Sequence, residues 1–373
     1  MSPSNIHNGI TYQLYEDDVE QLEINQNEQS TNTNNDDPKA TKTKPYKTQI
    51  VWRNVMIMSI LHLTALYSLF FVLPVVQWKT IILVQTLVIM FSMGIQAGAH
   101  RLWSHRALKA NFAVRLFFCI LQTGALQNDI YEWCRDHRAH HKFSDTDADP
   151  HNSRRGFFFS HIGWLLVKKH PELIRRGKTI DMTDLETDPI VMFQRQYYIL
   201  LVLLIWGFLP TYIPVVFWGE DPLNSFLACV VVRYVYSLNV TWLVNSWSHM
   251  YGTRPYDGNI APVESTVRHL LLGEGFHNYH HAFPWDYRAS ELGSLDVFNP
   301  CTGLIDIFHY LGWAWDLKTA NPSIVARKME LRGDKSKTYK KTRGLFEWIG
   351  GVLATIAFIP FTKLIATLLE ILF

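Results

Sequence analysis

Four long apolar runs constrain this chain more than any other feature. Asn54–Val76, Thr80–Ala99, Tyr197–Trp218 and Leu223–Val244 each reach the roughly 20 residues that a helix needs to cross a ~30 Å hydrocarbon core. Thr80–Ala99 carries no charge, and Leu223–Val244 is interrupted only by Arg233. Short links, "PVVQWK" and "FWGEDP", join the runs in pairs, which predicts two helical hairpins. Long polar and aromatic segments, 100–196 and 245–343, follow the hairpins. The expected fold is an all-α membrane protein with four transmembrane helices and a helical cap outside the bilayer.

Charge gives the orientation. Arg101–Lys109, Arg135–Lys142, Arg154–Arg155, Lys168–Lys178 and Arg327–Arg343 all lie in the long segments, whereas the two short links share a single lysine. The positive-inside tendency therefore predicts a cytosolic cap and a cytosolic N-terminus. A net charge of +2 is too small to suggest a nucleic-acid partner. The four cysteines, Cys119, Cys134, Cys229 and Cys301, have no framework spacing and read as reduced thiols.

Residues 1–47 are rich in Asn, Thr and charge and read as a disordered cytosolic tail, with no secretory signal. The first apolar run is the expected targeting signal for the endoplasmic reticulum. Residues 48–343 form the main domain. Within it, Phe112–Leu126 is short for a span and contains Arg115, so an interfacial helix is expected. Residues 344–373 are apolar but broken by Glu347, Pro360, Lys363 and Glu370. They read as a helix lying on or dipping into the interface, with an extra span as the other reading.

Three groups stand out among the 16 histidines: "HRLWSH" (His100, His105), "HRAHH" (His137, His140, His141) and "HNYHH" (His277, His280, His281). Offsets of three and four bring imidazoles onto neighbouring parts of one helical face. Adjacent positions diverge by about 100°, so one such helix can serve two neighbouring ions. The offset of five in "HRLWSH" suits a regular helix poorly, and a helix end or distortion is expected there. His249 follows the fourth run. If the hairpins turn on the far side, all of these histidines meet at one face.

So many neutral imidazoles in one place are hard to keep without a metal, because unpartnered buried polar groups are costly. They are too many for one ion, and zinc prefers four ligands. Iron accepts more ligands and changes oxidation state, so a dinuclear iron site is expected. Isolated histidines such as His62 and His309 read as packing residues, and His151, His161, His170 and His269 as structural or supporting groups. Arg154–Arg155 is expected to pair with Asp145, Asp147 or Asp149.

At "GAHRLWSHR", "QNDIYEWCRDHRAHHKFSDTDADPHNSRRGFFFSHIGWLL" and "GEGFHNYHHAFPWDYR" the chain resembles the membrane acyl-CoA desaturases of the stearoyl-CoA Delta-9 desaturase group. The resemblance covers roughly residues 51–316. It implies one iron held by His100, His105, His137, His141 and His280. A second would be held by His140, His249, His277 and His281, with a water tied to Asn245. It implies contacts to acyl-CoA from Asn54, Asn128, Arg135, Asp136, Lys168, Lys169 and Trp242, and a closed tunnel for the acyl chain.

Residues 48–343 would then be a desaturase domain. The implied reaction inserts a cis double bond, Delta-9 on resemblance alone, using O₂ and two electrons. No flavin or nicotinamide fingerprint and no fused haem domain is visible, so the electrons would come from cytochrome b5 and its NADH-dependent reductase. Val88 and Ser92 share a helical face with His100 and are the chain-length candidates. The competing readings are a desaturase or hydroxylase acting at another carbon, and, less favoured, a membrane metal transporter.

Overall fold

The computed structural model describes residues 46–337 and 343–372. The expected tail, apart from Tyr46 and Lys47, lies outside the described residues. Residues 48 onward cluster as one unit.

Helix α1, Trp52–Phe71, buries only Ala65 and Ser68. Trp52, Ile60, Leu63 and Phe70 stand exposed along it, the surface of a helix that faces lipid. After the link 72–77, α2 runs from Trp78 to Ser104. Helix α3, Phe112–Ala125, is capped by the Asn111 side chain and is too short to cross a bilayer. Helix α4, Ile130–Lys142, is capped by Asp129. The return pair follows as α5, Tyr198–Trp218, and α6, Pro222–Met250. Among the described residues, four unbroken helices are therefore long and apolar enough to cross a membrane. The most apolar windows of α2 and α6 are 56% and 50% buried, against 11% and 17% for α1 and α5. The inner pair carries the machinery and the outer pair meets the lipid.

The second apolar run ends in sequence at Ala99, but its helix continues to Ser104 by loosening. Over Gly94–Ser104 the hydrogen bonds run π-fashion, and His105 N–H donates to the His100 carbonyl at 3.1 Å. A π-turn closes its hydrogen bonds at i→i+5 and fits more residues into each turn than an α-helix, so an offset of five brings two side chains nearer to one side. The expected distortion in "HRLWSH" is thus a widened helix. Gly94 also permits a close crossing, since a Cβ there would lie 2.2 Å from the Gln122 nitrogen of α3.

Arg233, inside α6, is fully buried. Its Nε donates to the Cys229 carbonyl at 2.7 Å, its Nη1 reaches the Gly124 carbonyl at 3.3 Å, and its guanidinium lies over the Phe91 ring. An ionisable group at this depth needs such partners, and here it fastens α6 to the end of α3. At the opposite end of the spans, Glu220 accepts from Gln77 N–H at 2.8 Å and from Thr80 Oγ1 at 2.5 Å. That carboxylate ties the two short links together.

Among its described residues the cap contains two small antiparallel ribbons, Lys109–Ala110 with Ala314–Trp315 and Gly252–Thr253 with Glu264–Ser265. The second matters because Glu264 also bridges to Phe276 and so aims α7, His277–Ala282. The last helix, α8, spans Leu345–Leu372 with a bend of 63° between Leu345–Ala357 and Ile359–Ile365.

Candidate metal centre

Each histidine reaches the centre from an element built to aim it. The π-turns of α2 supply His100 and His105, with ring centroids 4.9 Å apart. Helix α4 supplies His137, His140 and His141, the end of α6 supplies His249, and α7 supplies His277, His280 and His281. Their nitrogens sort into two groups. His100, His105, His137, His141 and His280 form one, and His140, His249, His277 and His281 form the other, with the ligand atoms of each within 4.8 Å of one another. This is the same division that the family resemblance implies. The groups adjoin, since the His141 and His281 rings stack at 4.1 Å.

The donor set fits metal ions. His100 Nε2 lies 2.9 Å from His280 Nε2, which lies 3.0 Å from His141 Nε2, and His105 Nε2 lies 2.9 Å from His137 Nε2. In the other group, His277 Nε2 lies 3.1 Å from His249 Nε2 and 3.2 Å from His281 Nε2. Three of these rings turn Nδ1 toward a carboxylate. His100 faces Glu274 at 3.2 Å, His140 faces Asp149 at 2.9 Å, and His249 faces Asp145 at 3.2 Å. With Nδ1–H donating, Nε2 carries a lone pair that points inward. Lone pairs this close repel unless a cation lies among them. An ion about 2.1 Å from each nitrogen leaves neighbouring nitrogens about 3.0 Å apart.

Electrostatics favours the ligating form. Burial, and then neighbouring histidines, hold His105, His137, His141, His277, His280 and His281 well below the ordinary imidazole value, so they stay neutral. Burial opposes charge on His140 too, but the Asp149 carboxylate outweighs it and raises that ring. Glu274 keeps its charge despite burial, held down to about 2 by Arg101 and His100.

The remaining predicted residues fall along a path. Asn54, Asn128, Asp136, Lys168 and Lys169 line a surface cavity of about 350 Å³. Asn128, Asp136, Trp242 and Asn245 line a second, of about 220 Å³, with Trp133 and His137. Trp133, His137 and Asn245 then line a third, of about 80 Å³, together with Ser92, His100, His140 and His277. Arg135 stands aside, in a neighbouring surface cavity, paired with Glu132 and Asp136. Val88 does not line the third cavity. It is buried in the core one turn deeper than Ser92.

The pairing expected for Arg154–Arg155 is not what forms among the described residues. Arg155 lies over the Phe159 ring and donates to Thr48 Oγ1. Asp145 and Asp149 are turned inward to the histidines instead, and Asp145 also accepts from Ser153 N–H and Oγ. These two aspartates and Glu274 are the functional groups that sequence reasoning missed. Their signal was position, because "DTDADPH" follows "HRAHH" after three intervening residues and Glu274 lies three residues before His277. His151 packs against His140 at 5.5 Å and is pushed down to about 3 by burial and then by His140. His62 accepts a similar supporting place, stacked at 6.0 Å on Trp242 and bonded to Asn239.

Comparison with known proteins agrees with this architecture. The family model for fatty acid desaturase matches residues 76–296. The chain is 51% identical over 301 residues to "Acyl-CoA Delta-9 desaturase" of Acheta domesticus, covering 80% of this chain and 84% of that protein. It is 51% identical over 292 residues to "Stearoyl-CoA desaturase 5" of Bos taurus, covering 78% of this chain and 86% of that one. It is 46% identical over 304 residues to "Acyl-CoA Delta-12 desaturase" of Tribolium castaneum, covering 81% and 85%. With two histidine nests at the end of a four-helix membrane core and identity of this extent, the chain belongs to the fatty acid desaturase family.

Proposed function

We propose that this desaturase inserts a cis double bond at the Delta-9 position of a saturated acyl-CoA, at the cytosolic face of the endoplasmic reticulum. The observation that carries the reading is the chain of three adjoining cavities. It runs from the lysine-lined surface past Trp242 to the two histidine groups. The balanced reaction is acyl-CoA + O₂ + two electrons + two protons giving cis-enoyl-CoA + two waters.

An unactivated methylene is far too weak an acid for any side-chain base. His100, His105, His137, His141 and His280 would hold one iron and His140, His249, His277 and His281 a second, and such a pair would supply, with O₂, an oxidant strong enough to take hydrogen atoms from it. The protein's own residues do the rest. Lys168 and Lys169 offer positive charge to CoA phosphates at the surface, and Asn54 and Asn128 offer amides beside them. Trp242 and Asn245 fix how far the thioester advances, and that register decides which carbon stands before the histidines. Ser92, Ile95, Val240 and Val244 wall the innermost cavity and keep water out.

Electrons come from separate cytochrome b5 and its NADH-dependent reductase, and the basic segments of the cap suit an acidic haem protein. The lysine-poor links and basic cap support a cytosolic centre. Delta-9 draws support from the cricket relative, whereas the Delta-12 relative makes position a matter of register on a shared site. Expression in desaturase-deficient yeast, with double-bond location by gas chromatography–mass spectrometry, tests both levels. A C9–C10 olefin is expected. A bond elsewhere or a hydroxyl overturns the Delta-9 reading, and no product overturns desaturation itself.

A further inference from the structure

Helix α8 takes no part in the chemistry above, yet it is tied down at three depths. Near its start, Glu347 pairs with Arg268 at 2.7 Å and with His269 at 2.8 Å, and Trp348 Nε1 donates to the Ser294 carbonyl at 2.9 Å. These partners belong to the cap, whose Leu271 carbonyl accepts from Gln96 near the histidine end of α2. Halfway along, the Thr355 carbonyl accepts from Gln85 at 3.0 Å. Further on, Lys363 Nζ donates to the carbonyl of Pro74, in the link at the opposite end of α2. Positions 347, 355 and 363 therefore follow α2 from one end to the other.

The composition fits that course. Residues 348–362 carry no charge, and Leu353, Phe361 and Leu364 are exposed apolar side chains. At ~1.5 Å per residue, the 28-residue helix exceeds a ~30 Å hydrocarbon core even when bent. The bend has an identifiable cause in Pro360, which has no N–H to offer the preceding turn. One turn before the bend, Gln85 from the neighbouring span donates to the Thr355 carbonyl. The same bond explains a glutamine buried in mid-span.

We propose that α8 is a fifth membrane crossing and that it floors the acyl channel. Gln85, Val88 and Ser92 occupy one face of α2, at offsets of three and four. Ser92 lines the innermost cavity, and Gln85 is covered by α8. Ile359, fully buried, packs in the same core as Val84 and Val88. The face of α2 that continues inward from Ser92 is thus backed by α8 at Gln85, with Ile359 in the core beside Val88. The inference about chain length depends on the acyl-CoA reading, whereas the crossing does not.

The test has two arms on the full chain in microsomes. A glycosylation sequon on a spacer after Phe373 is expected to be modified, while one placed at the N-terminus is not. An unmodified C-terminal sequon, with a control sequon in the 219–221 link modified, overturns the crossing. In the second arm, Ile359→Ala is expected to raise the ratio of C18 to C16 products by about three-fold or more, and Ile359→Phe to lower it. Unchanged ratios in both active variants overturn the floor. Failure of the unmodified chain to desaturate would instead count against the acyl-CoA reading.

Discussion

Asp149 accepts the Nδ1–H of His140 at 2.9 Å and also the backbone N–H groups of Asp145 and His151. It therefore sets both the tautomer of one ring and the turn that follows α4. Asp149→Asn keeps the shape and removes the charge. The expected result is roughly 10- to 100-fold lower iron affinity and turnover in a folded, monodisperse protein. Metal analysis by mass spectrometry beside a turnover assay checks this, and wild-type iron content would remove the role assigned to the carboxylate. The imidazoles themselves were legible because their spacing is local. The partners of Asp145 and Asp149 were not, since a turn folds these residues back on the histidines and away from the nearby arginines. Glu264 makes a different residue-scale case. Its Oε1 accepts Tyr279 N–H in the first turn of α7, and burial pushes its carboxyl up to about 8 from an ordinary 4.5. The folded protein then holds a proton that the unfolded chain releases. Stability from this group is full below 4.5 and is lost as pH rises through 8. Melting temperature in detergent should fall between about pH 4.5 and 8, where the folded protein holds the proton and the unfolded chain does not, and Glu264→Gln, a permanent neutral acceptor, should flatten that slope. Parallel slopes in the two proteins would rule the residue out as the cause.

Among the elements, the π-turned end of α2 carries the greatest demand. It must present His100 and His105 on one side while letting α3 cross beneath. The residue pattern announced part of this. An offset of five cannot lie on one face of a regular helix, so the distortion was readable, and so was the presence of four helices apolar and long enough to cross a membrane. The crossing was not readable, because no periodicity reports that Gly94 lies against the backbone of Leu121 and Gln122, where a Cβ would sit 2.2–2.4 Å away. Backbone cannot step aside as a flexible side chain can. Gly94→Ala is therefore expected to cost at least about 1–3 kcal/mol, with a sharp loss of folded protein and of both histidine groups together. Gly207, in α5, has nothing within 4 Å of its would-be Cβ, so Gly207→Ala should be silent. Size-exclusion profiles and melting curves of the two variants provide the comparison, and equal behaviour would deny the crossing its importance.

At the scale of the whole molecule, the lysine-lined cavity and the histidine groups lie at opposite ends of a run of adjoining cavities, so under the proposed function binding and chemistry should separate kinetically. Lys169 is half exposed, pairs with Asp136 at 2.6 Å, and lines the outermost cavity with Lys168. Neither lysine lines the innermost cavity among its described residues. A phosphate bound there gains attraction that is the same before and during hydrogen removal, which is uniform binding. Losing uniform binding raises KM and leaves kcat alone. Lys169→Ala also leaves Asp136 with only its longer 3.3 Å contact to Arg135 and so adds repulsion to the loss. KM for acyl-CoA should rise by about three- to ten-fold, roughly 0.7–1.4 kcal/mol, with kcat within about two-fold of wild type. Added salt should raise the wild-type KM and affect the variant less, because screening can remove only a charge that is present. Steady-state kinetics at two ionic strengths decides the matter. A fall in kcat at unchanged KM would mean that the lysine acts through the register of the chain at the histidines, and that binding and chemistry are not separable along this path.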